Sequence, residues 1–369
     1  MITRRDACKA AMGLLAGAAA KCGSGLFAAP SIAKEHTARF WRKGKSGAVV
    51  CELCPHGCVI FDGMTGRCRN RRNIGGELIA LGYGRPCAVH VDPIEKKPFY
   101  HFMPGSRTYS IGVAGCNLRC KNCQNYSISQ RGPLDIDFID LSPQRAVDEA
   151  LREKCPVIAF TYTEPSVWVE YMMDTAAIAR KAGLKTVMVS SGYINPAPFG
   201  ELLKVLDAVR IDLKSFSEKT YASLNAGKLQ PVLDTMLLAA KGGVWLEVIN
   251  LVIPGWNDSD GQIAALCGWV KENLGADVPL HFSRFYPMYQ LSNGFPTPVS
   301  TLKRAGAIAT AHGLSYIYIG NVAGMGGTTH CPECGKTVVV RSGYSVTEYR
   351  IKDNGKCGYC GAAIAGQWR

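Results

Sequence analysis

The chain has no apolar stretch long enough to cross a bilayer. Its longest run of small and apolar residues, 10–20, is 11 residues, against roughly 20 for a spanning helix, which excludes a polytopic membrane protein. Charge is also sparse: 19% of residues are charged and 47% hydrophobic, a balance that can fill a core and argues against a disordered chain. No heptad recurs, nor any period of roughly 20–50 residues, which excludes coiled coils, collagen and repeat arrays. At 369 residues the chain has material for about two to three folded units.

The net charge of +13 looks like a nucleic-acid signal until it is located. Residues 1–45 hold nine Lys and Arg against Asp6 and Glu35, a balance of +7, and the other 324 residues share +6. A basic leader accounts for the excess better than a binding face, so no nucleic-acid partner is expected. The leader, residues 1–35, reads Thr3-Arg4-Arg5-Asp6-Ala7-Cys8-Lys9, then AAMGLLAGAAA, then a small-residue stretch ending Ser31-Ile32-Ala33. It resembles a twin-arginine export signal, an address for proteins that fold before transport. A frayed amphipathic leader or a misassigned start codon would read the same way. The expectation is assembly in the cytoplasm, with export to the periplasm left open.

Beyond the leader three segments are expected: a short, Gly-rich, Cys-rich unit over 46–106, an alternating strand–helix core over 107–323, and a Cys-rich ribbon over 328–369. In the core, apolar strands are expected at 109–114, 157–162, 186–190, 208–213, 244–252, 280–285 and 316–319. One helix should open with Ser142 as N-cap and Pro143 at its first position; another should run over 166–181 and stop at Gly183. Repeated strand–helix units predict an α/β fold with a parallel sheet, open or rolled into a barrel.

Sixteen cysteines are many for an ordinary cytosolic chain, and their placement decides their meaning. Eleven form tight groups: Cys51, Cys54, Cys58 and Cys68; Cys116, Cys120 and Cys123; Cys331, Cys334, Cys357 and Cys360. Bridges stabilise more when they close longer loops, whereas a CxxC knuckle sets two thiolates on one turn for a metal. The central CxxxCxxC follows directly on a strand and gathers three thiolates with no fourth. Structural zinc is four-coordinate and closed, so three ligands suit it poorly. A [4Fe-4S] cube held at three corners leaves one iron open to chelate the amino and carboxylate groups of S-adenosylmethionine (SAM). One electron into the sulfonium then gives a 5′-deoxyadenosyl radical, chemistry that belongs to the cofactors. A partial zinc site completed by a distant histidine is the bland alternative.

With these motifs in view, the chain resembles the radical SAM superfamily, and within it the enzymes related to pyruvate formate-lyase activating enzyme. It is most similar there to the AmmeMemoRadiSam-system radical SAM enzymes. The resemblance runs through CELCPHGC, DPIEKKPFYHFMPGS, GCNLRCKNCQN, FTYTEPSVWVEY, SSGYI, IDLKSF, EVINLVIPGWND, LHFSRFYP, IYIGNV and CPECG. It implies a partial (β/α) TIM-type barrel of the radical SAM kind, flanked by small Cys-rich metal-ribbon domains. In such barrels polar residues at the C-terminal strand ends converge on one face. The residue before the third cysteine is often aromatic in the superfamily and packs near the SAM adenine; here it is Asn122, which leaves that contact to the backbone. Asn122 and Gln124 are both counted as cofactor-binding.

The resemblance places the SAM amino group at Thr163-Glu164, where Glu164 could equally cap the next helix. It sets Asp212 and Lys214 beside SAM, the ammonium meeting a carboxylate; a surface ion pair is the alternative. Ser190 and Ser191 suit ribose or carboxylate contacts, or simply a strand-exit turn. His281 would contact SAM or substrate, or be a hydrogen-bonded core histidine. Glu247, buried in an apolar strand, needs a partner; Asn250, Arg284 and Asn321 are weaker candidates.

The C-terminal CPECG and CGYCG knuckles frame a hairpin and offer four tetrahedral thiolates, for zinc first and iron second. For Cys51, Cys54, Cys58 and Cys68 a second zinc knuckle is expected ahead of an auxiliary cluster. The function expected is a radical SAM oxidoreductase or activase that abstracts hydrogen from a substrate, perhaps a protein or peptide. Family resemblance points to a Memo-like or Ammecr-like protein as substrate, and to flavodoxin or ferredoxin as electron donor. A glycyl-radical activase is the rival within the class; a non-enzymatic metal-ribbon adaptor is the rival outside it.

Overall fold

The computed structural model describes residues 36–325 and 327–368; the expected export signal lies outside them. From His36 onward the chain forms one compact unit. It opens with a small antiparallel sheet of β1 (Trp41–Lys43), β2 (Val49–Cys51) and β3 (Val59–Ile60). A hairpin follows, β4 (Arg71–Ile74) and β5 (Glu77–Ala80). Its two-residue turn is Gly75-Gly76, both at positive φ, the conformation whose twist matches the flanking strands.

The central sheet has eight strands: β6 (Pro86–Pro93), β7 (Arg107–Val113), β8 (Val157–Phe160), β9 (Lys185–Ser190), β10 (Ala208–Asp212), β11 (Trp245–Val252), β12 (Leu280–Arg284) and β13 (Ile317–Gly320). They lie side by side in chain order, and every pair is parallel except β6 with β7. All seven expected strands are present. The eighth, β6, went unforeseen because a strand bounded by Pro86 and Pro93 reads as loop. A strand order that never reverses, joined by right-handed crossovers, lays every connecting helix on the same face.

The helix starting at Pro143 is capped as expected, with Ser142 Oγ accepting from Arg145 N. The next departs from expectation. A 3₁₀ turn over Pro165–Trp168 precedes the α-helix Val169–Lys181, because Glu164 caps Ser166 N and tightens the first turn. Gly183 ends it at φ 78°.

Strand alternation separates two cores. Ile158, Phe160, Met188, Val209 and Phe282 pack against the helices. Val157, Ala159, Val187 and Ala208 face the other way and pack on Ile94, Phe99 and Phe102, from the segment linking β6 to β7. That segment is fastened by Glu247 of β11, which is fully buried. Its carboxylate accepts from Tyr100 N at 3.0 Å, His101 N at 2.9 Å, Trp245 Nε1 at 3.1 Å and His281 Nε2 at 2.8 Å.

The chain ends in a three-stranded antiparallel sheet of β14 (Thr329–His330), β15 (Thr337–Ser342) and β16 (Ser345–Tyr349). This ribbon is bound to the same network. Arg341 donates to Tyr100 O at 2.5 Å and Thr329 Oγ1 at 3.0 Å, and its guanidinium lies 3.6 Å from the buried Glu95. His101 reaches the ribbon segment through Ala365 O and β13 of the central sheet through Tyr318 OH, each at 2.6 Å.

His101 is fully buried. Burial lowers its pKa to about 4 from 6.5, against the pull of Glu247, and His281 is lowered for the same first reason. Below about pH 6.5 an unfolded histidine takes a proton that the folded one refuses. His101 therefore withdraws stability as pH falls towards 4, by up to about 1.4 kcal/mol per pH unit, and His281 acts in the same direction. We expect the urea midpoint to drop between about pH 7 and pH 5, and the drop to shrink in His101→Gln.

Candidate metal and cofactor site

The loop after β7 carries Cys116, Cys120 and Cys123, all half-buried, and its shape is set by distant parts of the chain. Asn70 Nδ2 holds Ala114 O at 2.8 Å. Gly115 sits at φ 106°, and a Cβ there would lie 2.6 Å from Cys68 O, so both backbone conformation and space require glycine. Asn117 Nδ2 donates to Tyr193 O at 2.7 Å. A π-helical turn over Tyr221–Asn225 supplies two carbonyls: Asn225 O takes Arg119 N at 2.8 Å and Leu224 O takes Lys121 N at 3.0 Å. Such turns are frequent at functional sites.

The sulfurs are served in turn. Asn225 Nδ2 donates to Cys120 Sγ at 3.2 Å, Leu118 N donates to Cys116 Sγ at 3.4 Å, and Ser129 Oγ is 3.1 Å from Cys123 Sγ. Burial pushes the Cys116 thiol well above its ordinary pKa, and the nearby Glu164 charge adds to this. Burial raises Cys120 too, with Lys214 pulling the other way. Burial works against the Lys214 ammonium, but Asp212 and the Cys120 sulfur outweigh it and hold its pKa above the ordinary lysine value. Asp212 is likewise held below the usual carboxylate range: Arg210 and Lys214 outweigh its burial. The cysteine loop thus has a carboxylate beside Cys116 and an ammonium, 2.7 Å from Asp212 Oδ2, beside Cys120.

Glu164 is buried and fully engaged, accepting from Ser190 Oγ at 2.6 Å, Ser191 N at 2.8 Å, Ser191 Oγ at 2.6 Å and Ser166 N at 3.2 Å. It ties the top of β8 to the top of β9, so the helix cap and the strand-end position coexist in one side chain. Thr163 Oγ1 donates to Val113 O at 2.5 Å, just ahead of the cysteine loop. Asn122 is buried and Gln124 exposed. His281 is spent on Glu247, with its ring against Tyr100 and Tyr318; its recorded contacts belong to the core network. Asn250 donates to Leu213 O at 2.7 Å, Arg284 to Thr297 O at 2.8 Å, and Asn321 to Arg284 O at 3.3 Å.

Residues that sequence reasoning missed include Asn70, Ser129, Tyr221 and Asn225, which act through contacts the local sequence does not signal. Tyr221 OH accepts from Lys214 N at 3.0 Å. Also missed was a cluster of four residues, three within the DPIEKK motif and one beyond it: Asp92 binds Lys96 at 2.8 Å and also pairs with Lys97 and the Tyr162 hydroxyl. Lys97 is buried, and desolvation lowers its pKa to about 8 against the pull of Asp92. Tyr162 holds a φ of 70°, a strained setting for a tyrosine.

Cys331, Cys334, Cys357 and Cys360 have their sulfurs all within 4.8 Å of one another. Cys331 lies 3.7 Å from Cys360 and Cys334 3.9 Å from Cys357, close to the edge of about 3.8 Å that a tetrahedron of 2.3 Å metal–sulfur bonds requires. Although burial opposes it, N–H groups of Cys360 and Tyr359 aimed at Cys357 Sγ lower its pKa to about 6. The donor set fits a single four-coordinate ion. Among the described residues no other group of three ligand atoms closes so tightly. The buried Oδ1 atoms of Asn122, within the central cysteine loop, and of Asn225, whose Nδ2 donates to Cys120 Sγ, have no hydrogen-bond partner.

Three comparisons bear on this site. The model of the radical SAM superfamily matches residues 110–267. An uncharacterised protein of Methanocaldococcus jannaschii is 42% identical over 329 residues, covering 89% of this chain and 98% of that protein. Pyruvate formate-lyase 1-activating enzyme of Escherichia coli K12 is 23% identical over 225 residues, covering 57% of this chain and 91% of that enzyme. Among solved structures, a domain of pyruvate-formate lyase-activating enzyme from Bacteroides vulgatus matches with TM-score 0.39 and 15% identity, over 44% of this chain and 98% of that domain.

Replacing Gly115 by Ala should force the loop off Cys68 O. We expect the iron held by Cys116, Cys120 and Cys123 on anaerobic reconstitution to fall at least several-fold, while Gly200→Ala, where a Cβ meets nothing within 4 Å, leaves it unchanged.

Proposed function

From the radical SAM superfamily domain matched over residues 110–267, we propose that Cys116, Cys120 and Cys123 hold a [4Fe-4S] cluster at which SAM is cleaved reductively. The sequential sheet is read accordingly as a partial barrel of the radical SAM kind, with the cysteine loop at the C-terminal ends of its strands. The bound cluster and SAM supply one electron and a 5′-deoxyadenosyl radical that abstracts hydrogen from the substrate.

The observation that carries this reading is the three-cysteine loop after β7, with Cys116, Cys120 and Cys123 each met by a hydrogen-bonding group and the Glu164 and Lys214 charges acting on Cys116 and Cys120. An amino-acid zwitterion presents an ammonium and a carboxylate, and a carboxylate and a lysine at the two edges of one loop match it. Thr163, with its hydroxyl on Val113 O, offers its remaining lone pair towards the ammonium end. Ser190 and Ser191 fix Glu164 in place. Asp212 keeps Lys214 charged and aimed, so that the ammonium meets the carboxylate end without a change of protonation. Tyr221 and Asn225 hold that edge of the loop at Lys214 N and Cys120 Sγ.

The substrate class follows less directly. The proposal is a protein or peptide, the C-terminal ribbon with one zinc ion serving to stabilise the domain or receive the partner. A Memo-like or Ammecr-like protein is the first candidate, and a flavodoxin- or ferredoxin-type protein the electron donor. A second reading, activation of a glycyl-radical enzyme, is favoured by the name of the E. coli relative. A new mass or a substrate radical in a Memo-like or Ammecr-like protein supports the first; a glycyl radical signal in a partner enzyme supports the second.

Reconstituted without oxygen, reduced with dithionite and given SAM, the chain should be brown and release 5′-deoxyadenosine. Cys120→Ala should abolish release, by at least about 1,000-fold. Lys214→Met should raise the KM for SAM at least about tenfold, the scale of one lost charge-assisted contact. A colourless wild-type protein, or a brown one that releases no nucleoside, defeats the reading.

A further inference from the structure

Cys51, Cys54, Cys58 and Cys68 surround a small cavity of about 10 Å³, lined also by Leu53, His56, Arg71 and Val167. Three of the four cysteines are buried and Cys58 is half-buried. The same chain offers its own standard of comparison. In the C-terminal site the sulfurs have drawn to 3.7 and 3.9 Å in pairs, and a tetrathiolate that compact has no room at its centre for anything larger than one ion. The four N-terminal cysteines do not close in this way, and the hollow between them admits a water-sized sphere.

Arg71 gives an independent indication. It is fully buried, paired with Glu170, with Nη1 on Arg39 O and 3.9 Å from Cys51 Sγ. It lines the cavity, yet its Nε is buried with no hydrogen-bond partner, an arrangement that costs free energy unless an acceptor stands there. A zinc tetrathiolate presents only its four cysteine sulfurs. An iron–sulfur cube adds inorganic sulfides on its faces, which accept N–H bonds, and such bonds to sulfur are among the features that set cluster potentials.

We propose that Cys51, Cys54, Cys58 and Cys68 ligate a second, four-cysteine [4Fe-4S] cluster, with Arg71 as the cation against its sulfurs. The proposal rests on the reading that the central loop holds the first. The two sites share backbone: the Cβ-free face of Gly115 meets Cys68 O, Asn70 bonds Ala114 O, and His56 Nε2 meets Asn117 O at 2.8 Å. The second centre is thus built into the wall of the loop that carries the first.

The test uses the full-length chain, reconstituted anaerobically, with iron, acid-labile sulfide and zinc counted per chain. The wild type should hold about eight irons and eight sulfides, two cubes' worth. The combined variant Cys116→Ala, Cys120→Ala, Cys123→Ala should keep about four of each, with the Mössbauer doublet of a [4Fe-4S] cluster. The combined variant Cys54→Ala, Cys68→Ala should also keep about four irons, with zinc unchanged. The triple variant needs no change in the N-terminal site and stands if the double variant misfolds. An iron-free triple variant overturns the proposal, as does loss of one zinc without loss of iron in the double variant. Failure of the first-cluster reading looks different: the triple variant then holds as much iron as the wild type.

Discussion

A carboxylate buried on the inner face of a sheet must be matched or it will unfold what surrounds it, and Glu247 is such a carboxylate. It is matched by two backbone N–H groups of the segment between β6 and β7, by an indole and by an imidazole. The segment cannot leave without stranding the charge. Because His101 in that segment also reaches Ala365 O and Tyr318 OH, and Tyr100 O takes Arg341, the ribbon is committed by the same knot. The inner face of the sheet, the plug and the C-terminus are one hydrogen-bonded body, with apolar packing of Ile94, Phe99 and Phe102 around it.

The site proposed here lies towards the other end of the strands. Its design is electrostatic: a loop of three cysteines with a carboxylate and an ammonium acting on it, each held by its own partners. Glu164 is immobilised by two serines and two backbone N–H groups, and Lys214 by Asp212 and by the tyrosine hydroxyl behind its backbone. Groups so fixed do not have to reorganise when a charged ligand arrives, which is what makes preorganised sites effective. The sulfurs of Cys116 and Cys120 sit in surroundings that disfavour free thiolates, so under the proposed reading their ionisation would be coupled to metal binding.

Much of this was legible in the sequence, for reasons that differ by feature. The seven parallel strands declare themselves because strands buried on both faces must be continuous apolar runs. The C-terminal cage declares itself because each CxxC pair sits on one turn, so local spacing alone nearly fixes the geometry. The Cys116 loop does so for the same reason, and Thr163, Glu164, Asp212 and Lys214 could be placed near strand ends because the strands that precede or carry them end close to where expected. His281 shows where such reasoning stops. A polar residue near a strand end can face ligand or core, and the choice depended on Glu247, 34 residues away on the neighbouring strand. Asn225 and Asn70 carried no signal at all, since an asparagine's role lies in the partner it meets, and theirs are 105 and 44 residues distant.

By itself the sequence determined the strand–helix rhythm, the three-cysteine loop, the two further cysteine groups and the polar residues at the strand tips, because each is encoded within a few residues. Only the tertiary structure decided which face each polar side chain served, how the ribbon was fastened, and how far apart each set of sulfurs stands. Those are distances between segments remote in the chain, set by the packing of the whole sheet and its plug, and no local pattern fixes them.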